Sequence, residues 1–265
     1  MGNTGFDTPF YIRRKRNLYR IQFLMYLDGA DSGVSAWTDK EDTNVDATVG
    51  GSAQLAPYGY LPDGTDDNLS DNLGVNGVTI EEFTIAAVVV RNEMVNNEAV
   101  CYGLFGSTHY PRIYFVGTTL HAEIKMDGTV KSITVSNVDT LMNVGQPHFI
   151  VFRGSVSTGI EVLIDGVSRG TQTDTGTVYS VGTGDFKLMK DTNLSYFQKG
   201  ALRFLAVCAD KMTDAQLEVW RAQLEYEGHF DVWRDDFAKW SGNTTFETGA
   251  PAVSGSPYQV TLVES

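Results

Sequence analysis

From Ile21 to Gly228 the chain alternates short apolar runs with turn residues. IQFLMYL (21–27) leads into a Gly, Asp and Ser turn at Asp28 to Gly33, and a long loop-rich stretch follows to about Gly77. FTIAAVVV (83–90) is different: it is unbroken, of strand length and rich in β-branched residues, as expected of a strand buried on both faces. RIYFVGTTLHAEIKMDG (112–128) predicts a hairpin. In it Leu120, Ala122, Ile124 and Met126 point inward and His121, Glu123, Lys125 and Asp127 outward, because successive strand side chains alternate faces. KSITVSNV, HFIVFRG, GIEVLIDG and ALRFLAVCAD continue the series of strands, with turn residues between them.

One helix is expected over about 214–227. Thr213 followed by Gln216 fits a capping box, Leu217, Trp220 and Leu224 make one apolar stripe, and Gly228 is placed to stop the helix. The two ends fall outside this pattern. Residues 1–20 form a polar, basic arm, and 229–265 return to Trp, Gly, Ser and Thr before a strand-like YQVTLVE, which reads as an arm or an added strand. The expected organisation is therefore an arm (1–20), one all-β domain (21–228) and a C-terminal arm (229–265).

Composition supports β structure, with 27 glycines in 265 residues. The net charge of −13 repels nucleic-acid phosphate and anionic membrane surfaces, except at the N-terminal cluster Arg13, Arg14, Lys15, Arg16 and Arg20. On an acidic body such an arm is expected to dock onto an acidic protein surface, with a solvated tail as the alternative. No apolar run approaches the ~20 residues of a membrane span, and the first residues lack the pattern of a secretory signal, so export by that route is not expected. Cys101 and Cys208 lie in apolar runs and are expected as buried thiols, a disulfide being the alternative.

Several patterns, in order, resemble the concanavalin A-like lectin/glucanase superfamily, and in particular the laminin G-like domains found in extracellular and bacteriophage proteins. Val34-Ser35-Ala36-Trp37-Thr38-Asp39 is similar to the family's V-x-x-W-x-D segment, and Leu61-Pro62-Asp63-Gly64-Thr65-Asp66-Asp67-Asn68-Leu69 to its F-D-G-x-D-D-x-L element. Gly145 to Arg153 and Ile160 to Gly166 resemble the G-x-W-H-x-v-x-v-R and v-x-l-y-v-D-G strands, with Pro147 standing where the family often has Trp. Gly184 to Met189, Gly200 to Phe204 and Met212 to Leu217 resemble the closing elements, so the likeness spans about residues 21–228. It implies a two-sheet antiparallel jelly-roll sandwich, to which the pattern along the chain adds one short C-terminal helix and terminal arms.

Catalytic members of that superfamily set paired acids on one strand face as E-x-D-x-E or E-x-D-x-x-E, and glycoside hydrolysis needs two carboxylates. Here Glu123, Lys125 and Asp127 put a lysine in the middle place, so a solvated charged face is expected and a divergent glycoside hydrolase is the third reading. His109, His121, His148 and His229 are scattered without metal spacing. Asp63, Asp66, Asp67 and Asp71, with Asn68, offer hard oxygen ligands, and the resemblance implies a rim calcium there; no other cofactor is expected. Trp37 and Trp220 are assigned to the core, and Trp233 and Trp240 to packing the arm on the sandwich or on a neighbour, ahead of a glycan platform. The leading expectation is a non-enzymatic virion structural or adhesion protein, such as a bacteriophage head decoration protein or appendage subunit. It would be assembled in the host cytoplasm against other virion proteins and copies of itself. The alternative is a carbohydrate-binding module for cell-surface or environmental glycans.

Overall fold

The computed structural model describes residues 23–28, 36–38, 46–50, 54–56, 59–61, 68–72, 78–92, 97–102, 111–181, 185–188, 190–191, 196–197, 200–231, 252–254 and 261–263, with side chains placed at 59–60, 80–92, 100, 111–179 and 200–231. The principal strands are β1 (Phe23–Asp28), β2 (Glu82–Arg91), β3 (Asn97–Tyr102), β4 (Arg112–Val116), β5 (Thr119–Met126), β6 (Thr129–Val135), β7 (Pro147–Ser155), β8 (Gly159–Ile164), β9 (Val167–Gln172) and β10 (Gly200–Cys208), followed by helix α1 (Asp214–Tyr226).

These strands form two antiparallel sheets. The first runs β9-β8-β7-β2-β10, and the far side of β10 is shared by β1 and the short strand Gly59–Leu61. The second is built round β3-β4-β5, with β6 on β5, and is extended by short strands that include Ala36–Thr38, Asp46–Gly50 and Asn68–Asn72. The stretch expected to be loop-rich to Gly77 thus contains strands, three to five residues long and too short to show a period. Residues 1–230 cluster as one compact unit and 231–265 as another, in which Ala252–Ser254 pairs antiparallel with Thr261–Val263.

The interior between the sheets is filled by Phe83, Ile85, Ala87 and Val89 of β2, Ile150 and Phe152 of β7, Leu202, Leu205 and Val207 of β10, and Leu120, Ala122, Ile124 and Met126 of β5. The predicted inward set of β5 is therefore correct. A second apolar layer explains the unbroken runs. Ala86, Val88, Phe149, Val151, Phe204, Ala206 and Cys208 face out of the first sheet and are covered by Leu217, Trp220 and Leu224 of α1. Trp220 meets Phe204 edge to face with centroids 5.1 Å apart, so its assignment to the core holds. Cys208 is a buried thiol outside any disulfide, while the side chain of Cys101 lies outside the described residues.

α1 begins as expected: the Thr213 hydroxyl accepts from Gln216 N–H, and Thr213 N–H donates to the Gln216 side chain at 2.7 Å. It ends in a Schellman motif, His229 N–H to Leu224 O at 2.9 Å and Gly228 N–H to Glu225 O at 3.0 Å, with Gly228 at φ 81°. Two buried arginines hold it to the sheet. Arg153 donates to Glu161, to Met212 O (2.6 Å) and to Asp214 (2.5 Å) at its start, and Arg203 donates to His229 O (2.5 Å) at its end. A bulge between Leu202 and Phe204 puts Arg203 there: the extra residue turns to the helix while Leu202 and Leu205 both stay inside. Thr84 accepts from Met212 N–H and donates to Asp210 O, fixing the loop before the helix.

Candidate functional site

Two Asp-Gly pairs that end apolar runs make two-residue hairpin turns. Asp127 and Gly128 (φ 49° and 78°) join β5 to β6, and Asp165 and Gly166 (φ 53° and 81°) join β8 to β9. Asp127 consequently leaves the outward strand face on which it was expected. Its carboxylate accepts from Thr177 and from Val178 N–H, and these hydrogen bonds hold it below the usual carboxylate range.

Glu123 belongs to a polar cluster on the outer face of the second sheet, carried by the β4–β5 hairpin that turns at Gly117 and Thr118. Its register places Arg112 opposite Glu123 and Tyr114 opposite His121. Arg112 Nε and Nη2 both lie 2.6 Å from Glu123 Oε2, and the Tyr114 hydroxyl donates to Glu123 Oε1 at 2.8 Å. Glu123 is only 8% exposed, so the expected solvated charged face is instead a largely buried, fully engaged carboxylate. The His121 ring stacks on Tyr114, with centroids 4.9 Å apart and planes 9° from parallel, and the Arg112 guanidinium lies 5.0 Å from the Tyr114 centroid. Thr134 on β6 completes the row, its Oγ1 3.4 Å from His121 Nδ1.

Burial lowers the His121 pKa below its ordinary value, and the positive Arg112 adds to this against the opposing pull of Glu123. The imidazole is therefore neutral at pH 7 and presents one donor and one acceptor. This arrangement suits recognition of a polar ligand. Glu123 is the one carboxylate within β5, so this strand does not carry the paired acids of the E-x-D-x-E pattern.

The His148 of the lectin-like motif makes a second polar couple. His148 Nδ1 lies 2.7 Å from Asp165 Oδ2, and His148 Nε2 accepts from Asn143 N–H at 3.0 Å, which assigns the ring proton to Nδ1. Asp165 Oδ1 also accepts from Phe149 N–H at 2.9 Å. Both ring nitrogens are thus engaged within the fold. The pair fixes the β8–β9 turn against β7.

Among the expected site residues, Asp71 lies on the strand Asn68–Asn72, opposite Phe186, and nothing is described of its side chain. Asp63, Asp66, Asp67, Arg13, Arg14, Lys15, Arg16, Arg20, Trp233 and Trp240 lie outside the described residues. Among the described residues no group of three or more His, Cys, Asp or Glu side chains is placed to hold a metal, and no helix is long and apolar enough to cross a membrane. The Arg112 and Tyr114 contribution was missed in the sequence, though a signal existed. Counting outward from the Gly117-Thr118 turn sets R-x-Y on one strand opposite H-x-E on the other.

Neither a known protein-family profile nor a curated protein sequence matches the chain. Solved structures do. They include the receptor-binding domain of botulinum neurotoxin D (10% identity, TM-score 0.57, 77% of this chain and 53% of that one) and the binding domain of botulinum neurotoxin DC in complex with rat synaptotagmin II (13%, 0.57, 77% and 52%). A third is the botulinum neurotoxin serotype D ligand-binding domain in complex with N-acetylneuraminic acid (11%, 0.56, 78% and 53%). This chain spans about half the length of each. At this level of identity the likeness is one of fold, that of a two-sheet, lectin-like β-sandwich of the jelly-roll type.

Proposed function

We propose that this chain is a non-enzymatic binding protein whose lectin-like sandwich takes glycans on the outer face of its second sheet. The observation that carries the reading is the Tyr114–His121 stack with Glu123 and Arg112 at its side. The outer face of the half-buried His121 ring, backed by the buried Tyr114, accommodates the C–H face of a sugar, and its Nε2 together with the Thr134 hydroxyl supplies donor and acceptor to sugar hydroxyls. The N-acetylneuraminic acid complex of a domain of similar fold supports a glycan ligand, and the synaptotagmin complex supports protein partners as well. A glycan array with and without calcium tests the reading. Binding by the wild type and its loss by about tenfold or more in His121→Ala are expected. A flat response across diverse polysaccharides, or undiminished binding by the variant, overturns it.

Within that role the protein is placed on a virion, as a head decoration protein or appendage subunit. The basic cluster Arg13, Arg14, Lys15, Arg16 and Arg20 on a chain of net charge −13 favours docking to other virion proteins and to copies of itself, with Trp233 and Trp240 as contacts at the other end. Removal of residues 1–20 is expected to abolish incorporation into particles while the sandwich still folds, and normal incorporation would count against it. Calcium at Asp63, Asp66, Asp67 and Asp71 belongs to the same proposal, and the calcium arm of the array tests its effect on binding.

A further inference from the structure

Beside α1, on the outward side of the first sheet, lies a cleft of about 310 Å³. Its floor is Phe149, Val151 and Leu163, and its wall is the first two turns of the helix, with Asp214 and Glu218 at i and i+4 and Arg221 beyond them. Volume at this scale admits one or two side chains rather than a folded element. The charge of the wall is acidic. In the wall Asp214 and Glu218 stand against Arg221, which lies 3.5 Å from Glu218, and the side chains of Asp214 and Glu218 are 84% and 65% exposed. Arg153 contacts one oxygen of Asp214, leaving the rest of that carboxylate open to solvent.

We infer that the cleft receives the chain's own N-terminal segment Phe10 to Arg16, with an apolar side chain of Phe10-Tyr11-Ile12 on the floor and the basic run Arg13-Arg14-Lys15-Arg16 along Asp214 and Glu218. The inference rests on the reading of the arm as a docking element and is independent of the glycan site. Three observations carry it. The segment has the apolar-then-basic order that an apolar floor with an acidic wall requires. The arm also leaves the sheet close to the cleft. Phe23, the first residue of β1, pairs with Cys208, and the chain after Cys208 runs by way of Met212 into Asp214, so the arm departs at the end of the sheet where α1 starts. Reach is sufficient as well. From Phe23, β7 is about three strand spacings away, ~14 Å, and the residues back to Arg16 and Phe10 extend to roughly 25–45 Å.

The docked arm would neutralise the most acidic surface of the helix. Its grip should weaken with salt, because its charged partners are exposed.

The test places a photo-crosslinking phenylalanine analogue at Tyr11 of the full chain and maps the products by mass spectrometry. Cross-links to residues 149–166 or 212–221 within one chain are expected, and product mass separates them from cross-links between two copies, which would overturn the inference. Their yield should fall several-fold in 1 M salt and in Glu218→Lys, with the melting temperature of the variant measured alongside to separate loss of docking from loss of fold. Cross-links that map elsewhere, or a yield indifferent to both perturbations, overturn the inference. If particle incorporation still depends on residues 1–20 in that case, the assembly reading of the arm survives and the cleft does not.

Discussion

His121 links the candidate site to pH. Its folded-state pKa lies below the ordinary histidine value because burial disfavours the imidazolium, so the unfolded chain binds the proton first as pH falls. Stability contributed by the neutral ring is present above pH ~6.5 and is lost as pH drops from there towards the folded value. Urea denaturation between pH 8 and 5 should show a smaller decline in His121→Gln than in the wild type. Tyr179 gives the mirror case at the alkaline end. Burial raises its pKa to about 12, so stability should fall as pH rises above ~10, where the unfolded tyrosine ionises, and Tyr179→Phe should remove that fall while keeping the edge contact with Phe83. Asp165 acts through hydrogen bonds. Asp165→Ala strips partners from His148 Nδ1 and Phe149 N–H, and a loss of about 1–3 kcal/mol in urea denaturation is expected. None of this was visible as chemistry in the sequence. D-G announced a turn, but the histidine that grips it stands on the neighbouring strand, and only the β7–β8 register brings them together.

The helix shows how local and distant signals divide. Its cap, stripe and stop are all contained in residues 213–228 and were legible, since capping and amphipathic period are local properties. Thr213→Ala should cost about 1 kcal/mol, measurable as a lowered denaturation midpoint. Where the helix lies was not legible. FTIAAVVV predicted two buried faces without saying what covered the second, because Leu217, Trp220 and Leu224 are more than a hundred residues downstream. Arg153 looked like an ordinary motif residue until its contacts with Glu161, Met212 and Asp214 made it the clamp for the start of α1. Arg153→Ala should cost less than the ~3–5 kcal/mol of a fully buried broken pair, because Asp214 is exposed and recovers water, and a greater loss of helical than of strand circular dichroism should accompany it.

Across the molecule, chain-adjacent pairings such as β4–β5, β5–β6 and β7–β8–β9 followed from turns between alternating runs, whereas β2–β10 and β1–β10 join segments far apart in the chain and were open in the sequence. The contact of β9 with β6 was equally hidden. At Gly170 a Cβ would stand 2.6 Å from Ile133 Cγ2, so the missing side chain is what lets an outer strand of one sheet close on an outer strand of the other, and Lys131 with Asp174 latches the seam at 2.6 Å. Gly170→Val should force the two apart, lower the melting temperature and raise light scattering on heating. Among the described residues β9 pairs with β8 alone and β6 with β5 alone, so the seam joins the two strands by their inner faces while each keeps one flank without a strand partner, the side on which a further strand could add.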